Sequence, residues 1–131
     1  MKTFNKKKIN EGDCINARLL DLLVYLNNRF PSQGWGQFYT NASDTGSLQW
    51  NMITVAGHSQ GAGNAQIIAY FYSVARSIQF AGGVAGVDLS VQFALTPIGR
   101  YFGFASLFDS ANSQGNFSSF LLFLGRSNLF F

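Results

Sequence analysis

The stretch Trp50-Asn51-Met52-Ile53-Thr54-Val55-Ala56-Gly57-His58-Ser59-Gln60-Gly61-Ala62-Gly63 decides the fold class. Its first seven residues are rich in β-formers and too uniformly apolar to alternate, the pattern of a strand buried on both faces of a parallel sheet. Residues 60–73 then read as a helix whose first turn is built from Gly61, Ala62 and Gly63, with Ala65 just behind. Small residues there permit close approach of helix to sheet. Arg76 to Ala81 supplies a second strand ended by Gly82-Gly83, and Arg100 to Phe108 a third ended by Asp109. Pro97 argues against a central strand at its own position, so residues 82–99 read as mostly loop.

Working outward towards the N-terminus, Asp13 is a plausible N-cap. After it, Ile15, Leu19, Leu22, Leu23, Leu26 and Phe30 recur at spacings of three and four until Pro31 stops the pattern. That spacing predicts an amphipathic helix of about 16 residues. Residues 31–49 are rich in Gly, Ser, Asn and Thr and read as a loop. Residues 1–12 read as a disordered basic arm, solvated, with a phosphate or anionic-lipid contact as the alternative. The lysines of that arm are not followed by the apolar stretch that a signal peptide requires, so the sequence favours no compartment beyond a cytoplasmic default.

Towards the C-terminus, residues 110–119 are polar, and Phe117 to Phe131 is apolar but interrupted by Gly125 and Arg126. Its continuous apolar run falls below the roughly 18–20 residues that a membrane span needs, so no transmembrane segment is expected. The organisation expected is therefore an arm at 1–12, a core at 13–109, and an atypical apolar tail at 110–131, either buried or set against a membrane surface.

Composition narrows the function. The chain has 131 residues, 47% hydrophobic and only 11% charged, with 14 phenylalanines. A low charge with so many aromatics leaves apolar surface in need of a partner or a larger core. One Cys, Cys14, and one His, His58, are too few for an internal disulfide or a zinc site of four protein ligands. No metal and no cofactor are expected. The net charge of +3 comes largely from Lys2, Lys6, Lys7 and Lys8, with no later basic stripe, which speaks against nucleic acid as a partner.

Gly57-His58-Ser59-Gln60-Gly61 fits the G-x-S-x-G pattern of a nucleophile elbow, in which a serine sits on a strained strand-to-helix turn with its hydroxyl exposed. Gly and Ser are frequent in this chain, so the bare pattern carries little. Its context carries the argument, because a β-like run precedes it immediately and a small-residue helix follows. Both glycines are expected to be required, since a Cβ at either would collide where the turn doubles back. The helix start directs amides and a positive dipole end towards the serine, with the Gln60 N–H as one oxyanion donor.

On these residues the chain resembles the α/β-hydrolase fold, and in particular bacterial serine hydrolases with a GHSQG elbow. The resemblance rests on Trp50 to Ala69, supported by the upstream helix, by Gly34-Trp35-Gly36, and by Thr96-Pro97 with Arg100 to Phe104. It implies a partial three-layer α/β-hydrolase-like fold with Ser59 as nucleophile. In that family the acid follows the serine in chain order and the histidine comes last. The resemblance therefore puts Asp109 in the place of the acid, with Asp88 as competitor.

No histidine follows Asp109. His58 occupies the variable position inside the elbow, where the turn directs its side chain away from Ser59, and a packing or hydrogen-bonded role is expected of it. The family's sheet has about eight strands, whereas three are legible here, all from its second half. The loop donating the second oxyanion N–H is not among them. Three accounts follow: a fragment or truncated form of a hydrolase acting on ester or related acyl bonds, inactive as this chain; a degenerate, non-catalytic domain that binds a partner; or a hydrolase receiving its histidine from another chain. Apolar sheet edges left exposed would favour self-association.

Overall fold

The structure, a computed structural model of the chain, describes residues 11–83, 93–104 and 129–130. It separates into two compact units, Met1–Gln49 and Trp50–Phe131, a division that falls inside the expected 13–109 core. Residues 1–10 of the expected 1–12 arm and most of the 110–131 tail lie outside the described residues, while the last two residues of the arm, Glu11 and Gly12, are ordered in a 3-10 turn with Asp13.

In the first unit, helix α1 runs Ile15–Arg29. Its N-cap is Cys14 and not the expected Asp13: the Cys14 sulfur accepts the Ala17 N–H at 3.5 Å, while Asp13 belongs to a 3-10 turn at Glu11–Asp13. The buried stripe also differs from the expected one. Ala17, Leu20 and Leu23 are buried, whereas Ile15, Leu22 and Phe30 are exposed. The cause lies in the following loop, where the Gly36 N–H donates to Asn27 Oδ1 at 3.0 Å. Asn27 shares a helix face with Ala17, Leu20 and Leu23, one full turn and more along, so that face is the one the chain folds back upon. Residues 31–49 form the expected loop, shaped by 3-10 turns at Pro31–Gln33, Trp35–Phe38 and Thr45–Ser47 and closed by an antiparallel bridge between Tyr39 and Leu48.

The second unit is α/β. Strand β1 (Thr54–His58), helix α2 (Gln60–Phe71), strand β2 (Arg76–Phe80) and strand β3 (Tyr101–Phe104) are followed by the two-residue strand β4 (Leu129–Phe130). The strands are all parallel, in the order β1-β2-β3-β4. Strand β4 falls in the segment read from sequence as an atypical tail, where no strand was expected.

Strand β1 begins four residues later than the apolar run. Trp50–Met52 forms a 3-10 turn whose Trp50 ring stacks on Tyr72 at 4.8 Å, and the Ala75 N–H donates to the carbonyls of both Trp50 and Ile53. Burial of the indole thus draws the start of the run out of the sheet. Nor is β1 buried on both faces. It lies at one end of the strand order, with Thr54, Ala56 and His58 exposed and Val55 and Gly57 half-buried, the alternation of a strand covered on one face.

The covered face is closed by α2. Ala62, Gly63, Ala65 and Ala69 are buried along it. Beneath them lie Ser77 and Gln79 of β2 and Tyr101 of β3, all fully buried, and the Ser77 hydroxyl donates to the Ala65 carbonyl. Gln79 lies in register between Gly57 and Gly103, which gives its side chain room inside the sheet-helix interface. Its Nε2 donates to Ser77 Oγ at 3.2 Å, while its Oε1 is buried without a hydrogen-bond partner among the described residues. Thr96, buried beside the end of α2, accepts the Val74 N–H at 2.9 Å and donates to the Tyr72 carbonyl at 2.7 Å, tying the α2–β2 turn to the segment that enters β3.

Candidate functional site

Strand β1 ends at His58 and α2 begins at Gln60, so Ser59 alone makes the turn between them. Its backbone takes φ 55 and ψ −117, a left-handed conformation that costs a non-glycine residue about 1–3 kcal/mol. Three sets of contacts hold it there. The Ser59 N–H donates to the Phe80 carbonyl at 2.9 Å, one step beyond the end of the β1–β2 ladder. The Ser59 carbonyl accepts from the N–H groups of Ala62 at 3.1 Å and Gly63 at 3.4 Å. Gly82, shortly after β2, presses against the Ser59 backbone: a Cβ there would stand 2.5 Å from the Ser59 oxygen and 2.9 Å from its Cα.

Serine is among the best N-cap residues because its oxygen can accept from the first amides of a helix. Ser59 occupies the N-cap position of α2 and makes no such bond. Its side chain is exposed and has no hydrogen-bond partner among the described residues. The hydroxyl is thus presented at the C-terminal edge of the sheet. Gln60 is the first residue of the helix, so its N–H has no acceptor within the helix, and the positive end of the helix dipole lies at Ser59.

The two elbow glycines do different work. A Cβ on Gly57 would run into the Gly61 carbonyl and stand 2.7 Å from the Ala62 amide nitrogen. A Cβ on Gly61 would meet nothing within 4 Å. The expectation that both are required for lack of space is therefore corrected: at Gly61 the turn uses the backbone, which is what Gly57 must clear.

His58 is exposed, and its side chain makes no hydrogen bond with another described residue. Alternation along β1 settles its direction. The missing Cβ of Gly57 is aimed at α2, so the side chain of His58 stands on the opposite face of the sheet. The packing or hydrogen-bonded role expected of it is not what these residues give. In the same row of the sheet, Phe80 and Phe104 stack with centroids 5.2 Å apart and are both exposed.

Asp109 and Asp88 lie outside the described residues. Among the described residues no group of three His, Cys, Asp or Glu could hold a metal, and no helix is long and apolar enough to cross a membrane.

No family model, curated protein or solved structure matches the chain.

Reading the sequence missed two parts of the site. In the sequence Gly82 reads only as the end of a strand, although a glycine shortly after the strand next to the elbow is a usable signal for close backbone approach. Ala81 takes φ 46, held by its N–H to the Phe104 carbonyl at 2.8 Å. Alanine carries no preference for that conformation, so nothing in the sequence marked it.

Proposed function

We propose that this chain carries the nucleophile-bearing part of an α/β-hydrolase-like serine hydrolase acting on ester or related acyl bonds. The observation that carries the reading is the backbone of Ser59, left-handed between a parallel strand and a helix, with a hydroxyl that does not cap the helix behind it. In the proposed reaction the Ser59 oxygen bonds to the acyl carbon while its proton passes to an imidazole. The Gln60 N–H donates to the oxyanion, and the acyl bond to the leaving alcohol breaks as the imidazole returns the proton.

That imidazole is not His58, which stands on the other face of β1. Asp109 is proposed to orient a histidine that these 131 residues do not contain. Without the base, turnover is lost by several orders of magnitude, so the chain alone is proposed to be inactive towards esters. The exposed Phe80–Phe104 stack favours a second reading, in which the same layers serve as a non-catalytic interaction module.

A fluorophosphonate probe used with added imidazole, which supplies the base these residues lack, separates the two, because the probe then bonds covalently to an elbow serine without requiring turnover. The hydrolase reading expects a slow adduct that peptide mapping locates on Ser59 and that Ser59→Ala abolishes. Equal adduct yield on the two chains, or an adduct on other serines only, contradicts it.

A further inference from the structure

We propose that Gly82 is a positioning residue for Ser59, a third glycine of the elbow contributed by the neighbouring strand; the inference rests on the reading of Ser59 as a nucleophile. A strained residue persists only where its surroundings leave it no easier conformation. The two hydrogen bonds into the Ser59 carbonyl come from Ala62 and Gly63 of its own helix, and the bond from its N–H goes to Phe80. The carbonyl can reach the helix amides only if the space at residue 82 holds no side chain, because a Cβ at 82 would stand 2.5 Å from that oxygen and 3.0 Å from its carbon. Those neighbours are backbone atoms, which cannot rotate aside as the end of a side chain would.

The turn that presents Gly82 is itself fixed. Ala81 sits at φ 46 with its N–H on the Phe104 carbonyl, so the chain leaves β2 in one direction, across the Ser59 peptide. Two left-handed residues at the ends of adjacent parallel strands, Ser59 and Ala81, are thereby packed through one glycine. Adding a methyl at 82 pushes the Ser59 carbonyl off the Ala62 and Gly63 amides. The Gln60 N–H is then turned away from the hydroxyl, with β1, β2 and α2 left otherwise intact.

The test compares the wild-type chain, Gly82→Ala and Gly99→Ala, the last a glycine with nothing within 4 Å of an added Cβ and remote from the elbow in sequence. Adduct formation on Ser59 by a fluorophosphonate probe, with a fixed concentration of imidazole added as the base, is followed over a range of probe concentrations, with circular dichroism confirming equal folded fractions. Gly82→Ala is expected to lower the maximal rate at least tenfold with the half-saturating probe concentration unchanged, and Gly99→Ala to match the wild type. A purely structural Gly82 lowers the melting temperature while leaving the rate of the folded chain as it was, and that result overturns the proposal without touching the reading of Ser59. A wild-type chain that never labels at Ser59 overturns both. Should Gly82→Ala not fold, Ala81→Pro, which cannot take φ 46 and has no N–H for the Phe104 carbonyl, redirects the chain at residue 82 without a change of residue at Ser59 or in α2. A rate reduced several-fold is then expected, and an unchanged rate overturns the proposal.

Discussion

A methyl group on Gly57 would drive into the carbonyl of Gly61, whereas a methyl group on Gly61 would meet no atom within 4 Å. The two glycines that flank Ser59 are therefore unequal, and substitution separates them. Gly57→Ala is expected to cost at least about 2 kcal/mol, because the collision is with backbone. Gly61→Ala, inside the first turn of α2, is expected to stabilise the chain by up to about 1 kcal/mol through helix propensity and a less flexible unfolded state. Midpoints of urea unfolding measure both, and equal effects of the two substitutions would contradict the geometry.

Thr96 supports the site from behind α2. Its hydroxyl is the acceptor for the buried Val74 N–H and the donor to the Tyr72 carbonyl. Thr96→Val keeps the shape and removes both bonds, leaving two backbone groups unsatisfied, so a loss of about 2–4 kcal/mol is expected in the same unfolding measurement. A loss below about 0.5 kcal/mol would mean that water reaches those groups.

The phenol of Tyr101, fully buried, is pushed from 10.0 up to about 12, first by burial, with the charge of Tyr70 adding to the rise and a hydrogen bond with Thr96 opposing it. The folded chain holds this proton more tightly than the unfolded chain. The associated stability is thus complete below pH about 10 and is lost as pH rises towards about 12, on the order of 2 kcal/mol in all. Unfolding of the wild type and of Tyr101→Phe across that range isolates the effect: the wild type should lose stability more steeply than the variant, and parallel curves would contradict the assignment.

The α/β class, the loop at 31–49, the helix after Ser59 and the strand at Arg76 were legible because each rests on a local pattern that folding does not overrule. Where long-range contacts decide, the sequence misleads. Trp50 has the composition of a strand residue, but stacking on Tyr72 removes it from β1. The leucines of α1 are regularly spaced, but Asn27 and Gly36 determine which face is covered. At the elbow, the strand-turn-helix context of Ser59 could be read directly. The pressure of Gly82 on it could not, because that contact joins residues on two different strands.

The conformation of residue 59 bears the whole account, and solution NMR reads it directly. In a chain labelled with carbon-13 and nitrogen-15, left-handed φ brings the amide proton of Ser59 close to its own Hα. A strong intraresidue cross-peak is therefore expected there, together with a hydroxyl side chain that leaves the Gln60 and Gly61 amides unbonded. A weak cross-peak with helical carbon shifts at residue 59, and a serine oxygen capping α2, would make this an ordinary helix start and remove the basis for a nucleophile.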